Sequence, residues 1–173
     1  MPFTPFHFGP GLFLKAIGSR YFSWGAFVAT QVVIDGETLY FMLQRAYPVH
    51  RTLHTLLGAT LAGLATALAL IACKALRFGG WPRAADSLRR RGAWASSELS
   101  TLGILTGGLI GGASHPLLDG LMHRDVHPFA PWSSANPLLH LVRVGTLHLG
   151  CVTLGLIGVV GLGLEVFRGN KAG

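Results

Sequence analysis

The apolar residues of this chain fall in long blocks. Three of them, residues 52–73, 99–118 and 144–164, contain no Asp, Glu, Lys or Arg. Each reaches the roughly 20 residues that a helix needs to cross about 30 Å of hydrocarbon. A fourth block, 21–34, is short; continued through Leu39, Tyr40, Phe41, Met42 and Leu43 it spans a bilayer with Asp35 and Glu37 embedded near one end. Ahead of it, residues 9–17 are apolar apart from Lys15 and are followed by Gly18-Ser19-Arg20. This segment reads as a partly spanning first helix that snorkels its cations. The expected fold is all-α: a polytopic membrane helical bundle with four to five membrane helices, residues 1–173 forming one membrane-embedded domain.

Composition agrees with lipid as the solvent of this core. The chain has 173 residues, half of them hydrophobic and 12% charged, where soluble domains carry about 25% charge. That excludes an ordinary soluble enzyme and a disordered chain. The net charge of +7 would suggest nucleic acid in a soluble protein, but the basic residues sit at the ends of apolar blocks, where they set membrane orientation. Residues 74–98 make a basic loop carrying Lys74, Arg77, Arg83, Arg89, Arg90 and Arg91, and Arg168 and Lys171 follow the last block. With Lys15 and Arg20, ten of the 14 cations are then cytoplasmic, against Arg45, Arg51, Arg124 and Arg143 outside. The expected location is the inner (cytoplasmic) membrane, with a cytoplasmic C-terminus, lipid as neighbour and no nucleic-acid partner. The start, Met1-Pro2-Phe3-Thr4-Pro5-Phe6-His7, has no basic n-region and no cleavage site, so the first segment is expected to stay. Cys73 and Cys151 lie in apolar stretches as small hydrophobes. Trp24, Trp81, Trp94 and Trp132 read as interfacial aromatics, and Gly107-Gly108, Gly111-Gly112 and the Gly155, Gly158, Gly161, Gly163 series as close helix contacts.

The chemistry is concentrated at one end. Of eight histidines, His7, His50, His54, His115, His123 and His127 fall on the outer side of this topology, together with Asp35, Glu37, Asp119 and Asp125. Ionisable groups at membrane depth cost a few kcal/mol each unless paired or coordinating. His50 with His54, and His115 with Asp119, are spaced i, i+4, so each pair is expected on one helix face, and His123 continues the second face if the helix persists past Gly120. Imidazoles with carboxylates suit zinc, manganese or iron. The plain alternative, hydrogen-bonded core histidine, fits His140, and His148 and His127 stand between the two. Arg51, between two histidines, is either an interfacial anchor or a group that binds an anionic substrate oxygen.

In order, His7, Val33-Ile34-Asp35-Gly36-Glu37, His50-Arg51-Thr52-Leu53-His54-Thr55, Ser114-His115-Pro116-Leu117-Leu118-Asp119 and Pro128-Phe129-Ala130-Pro131 resemble the membrane-bound metal-dependent hydrolase family, some members of which are described as LexA-binding inner-membrane proteins. That family has an early histidine, a Pro-Asp-x-Asp or Pro-Asp-x-Glu acid pair, a His-Arg-x-x-x-His-Ser motif and a Ser-His-x-x-x-Asp motif. Here Val33-Ile34 replaces the proline, and the paired histidines are one residue closer. The resemblance implies a metal site formed by His7, Asp35, Glu37, His50, His54, His115 and Asp119. Such all-helical His/Asp sites also resemble those of zinc-dependent phospholipase C enzymes.

The expected function is hydrolysis by a metal-activated water, with Asp35 or Glu37 as general base, zinc ahead of manganese or iron, and a phosphoester or lipid as substrate. Three other readings stand beside it. The ligands would serve a non-enzymatic metal-binding or transporting membrane protein equally well, yet the inner halves of the spans offer only Thr and Ser as polar groups. A haem bundle with His54 and His115 as axial ligands is opposed by the acids beside them. A structural or regulatory subunit with polar helix ends is the fourth.

Overall fold

The computed structural model describes residues 5–18, 20–77 and 93–171. Among these the chain is helical and has no strand. The helices are α1 (Phe8–Ile17), α2 (Trp24–Leu43), α3 (Leu56–Arg77), α4 (Ala93–Leu99), α5 (Thr101–Met122) and α6 (Val144–Lys171), with 3-10 turns at Pro5–His7 and Thr52–His54. Three stretches, Trp24–Leu43, Leu56–Leu76 and Val144–Arg168, are long and apolar enough to cross a membrane. Their outer faces fit that solvent: Leu61 is 55% exposed and Leu156 63%, with Leu68, Val152 and Val160 also open, a display of large apolar side chains that water does not favour. Helix α5 has the length, 22 residues, but its glycines and its polar end from Ser114 to Asp119 set it apart from those three.

Local chemistry fixes where the helices begin. Ser23 and Ser100 are N-caps whose hydroxyls accept from the N–H groups of Ala26 and Gly103, satisfying donors that the first turn leaves without partners. The Glu98 carboxylate adds a second cap to α2, accepting from Trp24 N at 3.0 Å and Gly25 N at 2.8 Å, where the helix dipole favours negative charge. The run expected to span from residue 52 becomes α-helical only at Leu56, because Thr55 acts as cap, its Oγ1 accepting from Gly58 N at 2.9 Å.

Helix α5 packs between α2 and α3, and glycine makes both contacts close. A Cβ at Gly107 would lie 2.2 Å from Ser23 O on the α2 side. One at Gly112 would lie 2.3 Å from Ala59 O on the α3 side, and one at Gly63 2.2 Å from Gly108 O. Without side chains the backbones approach far enough for short polar groups further along α5 to meet those of α2 and of the turn before α3. Helix α1 packs against α6 in the same way, Gly9 against the carbonyl of Cys151 and Gly158 against the backbone of Leu12.

Two polar clusters mark opposite ends of the bundle. At one end Lys15, expected to snorkel, is instead 2% exposed. Its Nζ donates to Phe22 O at 2.9 Å and Ser97 Oγ at 2.6 Å and pairs with Glu98 Oε1 at 2.7 Å. With these oxygens inside the fold, the ammonium has no need to reach the membrane surface. The basic segment expected over 74–98 is likewise narrower: α3 continues to Arg77, α4 begins at Ala93, and Lys74 donates to Leu99 O at 2.5 Å. Trp81, Arg83, Arg89, Arg90 and Arg91 lie outside the described residues. The other cluster holds the candidate chemistry.

Candidate metal centre

Asp35 just past the middle of α2, His54 at the end of its 3-10 turn, and His115 and Asp119 in the last third of α5 converge. One ligand atom from each lies within 4.8 Å of all the others, and all four residues are buried. His115 Nε2 is 3.2 Å from Asp119 Oδ2 and 3.5 Å from Asp35 Oδ1, and His54 Nε2 is 3.5 Å from the same Asp119 oxygen. His7 Nε2 stands 3.3 Å from Asp119 Oδ1, its ring stacked on His115 at 4.6 Å.

Two of the buried imidazoles, His115 and His54, are each aimed by a second group. The Gln31 amide nitrogen donates to Gly111 O at 3.2 Å, so its oxygen faces His115 Nδ1 and accepts from it. That makes Nδ1 the protonated nitrogen and leaves the Nε2 lone pair pointing at Asp35 and Asp119. Glu37 does the same for His54, whose Nδ1 is 3.2 Å from Glu37 Oε2. The Glu37 carboxylate also accepts from Arg51 N at 3.1 Å and from Leu53 N at 3.0 Å, which folds the 3-10 turn that carries His54. Thr38 Oγ1 lies 3.3 Å from His54 Nε2.

The donor set suits a divalent cation. His115 Nε2 and Asp119 Oδ1 are buried with no well-directed hydrogen bond among the described residues, although both have polar atoms within 3.3 Å. Such atoms are close without pointing along each other, as expected of ligands aimed at a common point. The groups within ion-pair distance of Asp35 and Asp119 among the described residues are histidines. Two carboxylates buried together with no Lys or Arg at ion-pair distance among the described residues are costly at this depth, and a divalent ion would offset their charge.

A second group, His50, His123 and Asp125, lies beside the first, with one ligand atom from each again within 4.8 Å of the others. His50 Nδ1 is 2.9 Å from Asp125 Oδ1, while Asp125 Oδ2 accepts from the N–H groups of Val49 and His50, each at 3.3 Å. Burial pushes the His50 imidazole below its ordinary pKa, and neighbouring His54 adds to the shift. Partial burial works against the ionised form of Asp125, but His50 holds its carboxyl below the usual carboxylate value. Near neutral pH the group therefore presents a neutral ring and a carboxylate.

The i, i+4 spacing of His50 and His54 predicted one helix face; the structure places His50 in the loop and His54 in the 3-10 turn, their rings 4.7 Å apart. His115 and Asp119 do share a face of α5. Helix α5 ends at Met122, with His123 as an extended C-cap whose N–H reaches Asp119 O at 2.8 Å. His123 Nε2 still comes to 4.0 Å from Asp119 Oδ1. Arg51 lies over the Phe41 ring at 3.7 Å and donates through Nε to Pro48 O at 2.9 Å. His148 stacks on Phe6 at 4.0 Å and lines a small cavity together with His7, and His140 takes a positive φ of 60° in the loop before α6. Sequence reasoning missed Gln31 and Thr38. A buried amide four residues before Asp35, in an apolar run, was the available signal for the first.

A groove of about 540 Å³ adjoins the cluster, with His50, Arg51 and His127 among its polar lining and Leu57, Leu61 and Pro131 among its apolar lining. A family description, Domain of unknown function (DUF4184), matches residues 1–164 of the chain. No curated protein and no solved structure matches it.

Proposed function

The chain belongs to the DUF4184 family, and from the cluster at the end of its bundle we propose that it is a membrane-embedded, metal-dependent hydrolase acting on a phosphoester, with a lipid as the favoured substrate. The observation that carries this reading is the convergence of Asp35, His54, His115 and Asp119, with Gln31 and Glu37 holding the outer nitrogens of the two histidines. A divalent ion held there, zinc ahead of manganese or iron, supplies Lewis acidity and brings the pKa of water toward neutrality. Phosphoester hydrolysis moves one proton from water to the departing alcohol oxygen. Glu37 is occupied by two backbone N–H groups and His54, so of the two candidate bases Asp35 is the one free to take that proton and return it. Arg51 and His50, at the polar end of the groove, suit an anionic phosphoryl oxygen.

The groove supports the lipid part of the proposal. Its volume lies in the usual range for ligand sites, and Leu57 and Leu61 bring its apolar wall to the exposed face of α3, where an acyl chain can enter from the side. In this reading α5 crosses the membrane as a fourth span, shielded by its neighbours, and α1 penetrates part of the way. The membrane is the inner one, the site faces outward and the C-terminus is cytoplasmic. The resemblance to the membrane-bound metal-dependent hydrolase family supports this reading through Asp35, His54, His115 and Asp119, four of the seven residues it implies.

One observation favours a second reading. His54 and His115 are fully buried, and closed four-ligand sites are typical of structural metals, as in a non-enzymatic metal-binding or regulatory subunit. Zinc-loaded protein in detergent, assayed on phosphodiester and phospholipid panels beside His115→Ala and Asp119→Ala, separates the two. Hydrolysis that is lost with the metal in both variants supports the enzyme. Wild type that holds metal and is inert on both panels overturns it in favour of the subunit.

A further inference from the structure

The two oxygens of Asp119 face different partners. Oδ2 lies 3.2 Å from His115 Nε2 and 3.5 Å from His54 Nε2, whereas Oδ1 lies 3.3 Å from His7 Nε2 and 4.0 Å from His123 Nε2. On the Oδ1 side stands the His50, His123 and Asp125 group, its two imidazole rings 4.6 Å apart. We propose that this group holds a second divalent cation, with Asp119 shared between the two ions, and that the second ion is the one open to substrate. The proposal rests on the metal-site reading above and adds to it a site of its own.

Three observations support it. The first is atomic: His50 Nδ1 is buried and 2.9 Å from Asp125 Oδ1, yet makes no well-directed hydrogen bond among the described residues. An ordinary His–Asp pair would align the N–H with the oxygen; two ligands of one ion have no reason to. Asp125 is meanwhile fixed through its other oxygen by Val49 N and His50 N, which leaves Oδ1 available. The second is charge. Four carboxyl groups, Asp35, Glu37, Asp119 and Asp125, gather here, and among the described residues their ion-pair partners are histidines, with no Lys or Arg. With the imidazoles serving as neutral ligands, two divalent ions match four carboxylates, where one matches only two.

The third is access. The inner group offers four ligands and is enclosed, whereas the outer one offers three, with the Asp125 side chain 30% and the His123 side chain 27% exposed. An ion that keeps a position open to solvent beside its protein ligands is the pattern of catalytic metals, and a pair of ions that clamps attacking and leaving oxygens is common in phosphoester hydrolases. His50 belongs both to this group and to the wall of the groove. A phosphoester bound there with its chain along Leu57 and Leu61 therefore meets the second ion first.

Metal counting on the full chain in detergent tests this. After saturation with zinc and removal of the excess, plasma mass spectrometry is expected to find two ions per chain in wild type and one in each of His123→Ala, Asp125→Asn and His115→Ala. A folded wild type with a single ion that survives in both His123→Ala and Asp125→Asn overturns the second site and leaves the inner one standing; no ion at all overturns both. Manganese gives a readout independent of counting and of activity. Wild type is expected to show an exchange-coupled paramagnetic resonance spectrum, and His123→Ala the spectrum of an isolated ion. Isolated-ion spectra from a doubly loaded wild type would remove the shared Asp119 from the proposal.

Discussion

Gln31 and His115 fix each other across the interface of α2 and α5: the Gln31 amide nitrogen is committed to Gly111 O, so its oxygen has only the His115 Nδ1 proton to accept. Replacing Gln31 by Leu leaves that proton without an acceptor and frees the ring to rotate or change tautomer. Loss of such an outer partner typically costs ~10–100-fold in metal affinity. Gln31→Leu is therefore expected to lower zinc affinity by that factor in chelator competition, with Gln31→Glu, which keeps an acceptor, recovering most of it. Equal affinity in Gln31→Leu and wild type would show that His115 needs no such partner.

Glu37 predicts a different signature, because it supports backbone as well as ring. Glu37→Ala strands the N–H groups of Arg51 and Leu53 together with His54 Nδ1. An unsatisfied buried donor costs about 1–3 kcal/mol. The expected result is a lower unfolding midpoint in the metal-free protein as well as weaker metal binding. A metal-free midpoint identical to wild type would make Glu37 a partner of His54 alone.

How much of this was legible beforehand follows from the range of the contacts. The apolar runs placed the long helices, since a charge-free run of 20 residues reads the same in sequence and in space. The identity of the cluster residues was also readable, because ionisable side chains in so apolar a chain stand out. The grouping was not. That His123 and Asp125 join His50 while His54 joins Asp35 depends on Glu37 gripping the backbone of Arg51 and Leu53, a contact across 14 to 16 residues that no local period encodes. Lys15 was misjudged for the same reason: its partners Ser97 and Glu98 lie 82 and 83 positions away, and a cation in an apolar run looks alike whether it snorkels or is paired.

That Lys15 cluster is open to test. Glu98 links α4 to both the Lys15 ammonium and the first turn of α2. Removing one member of a buried pair strands the other, at ~3–5 kcal/mol, and the partial exposure of Glu98 puts the expectation at the lower end of that range. Glu98→Ala should unfold at lower temperature in detergent than wild type, and Lys15→Met combined with Glu98→Leu should recover part of the loss. A double variant no more stable than Glu98→Ala would mean that the cap on α2, and not the ion pair, is what Glu98 contributes.

The groove makes the last prediction. Leu61 lies on its apolar wall, away from the polar end formed by His50 and Arg51, and its exposure leaves room for a larger side chain. Leu61→Trp should fill the space assigned to an acyl chain without touching a ligand. Metal content should be unchanged, and hydrolysis of a short soluble phosphodiester should stay near wild type. Turnover of a long-chain phospholipid should fall; loss of about 1.4 kcal/mol of chain binding corresponds to a tenfold lower kcat/KM. The difference between the two substrates is the informative quantity. Equal loss on both would mean that the substitution disturbs the site itself, and no loss on the phospholipid would place the chain elsewhere.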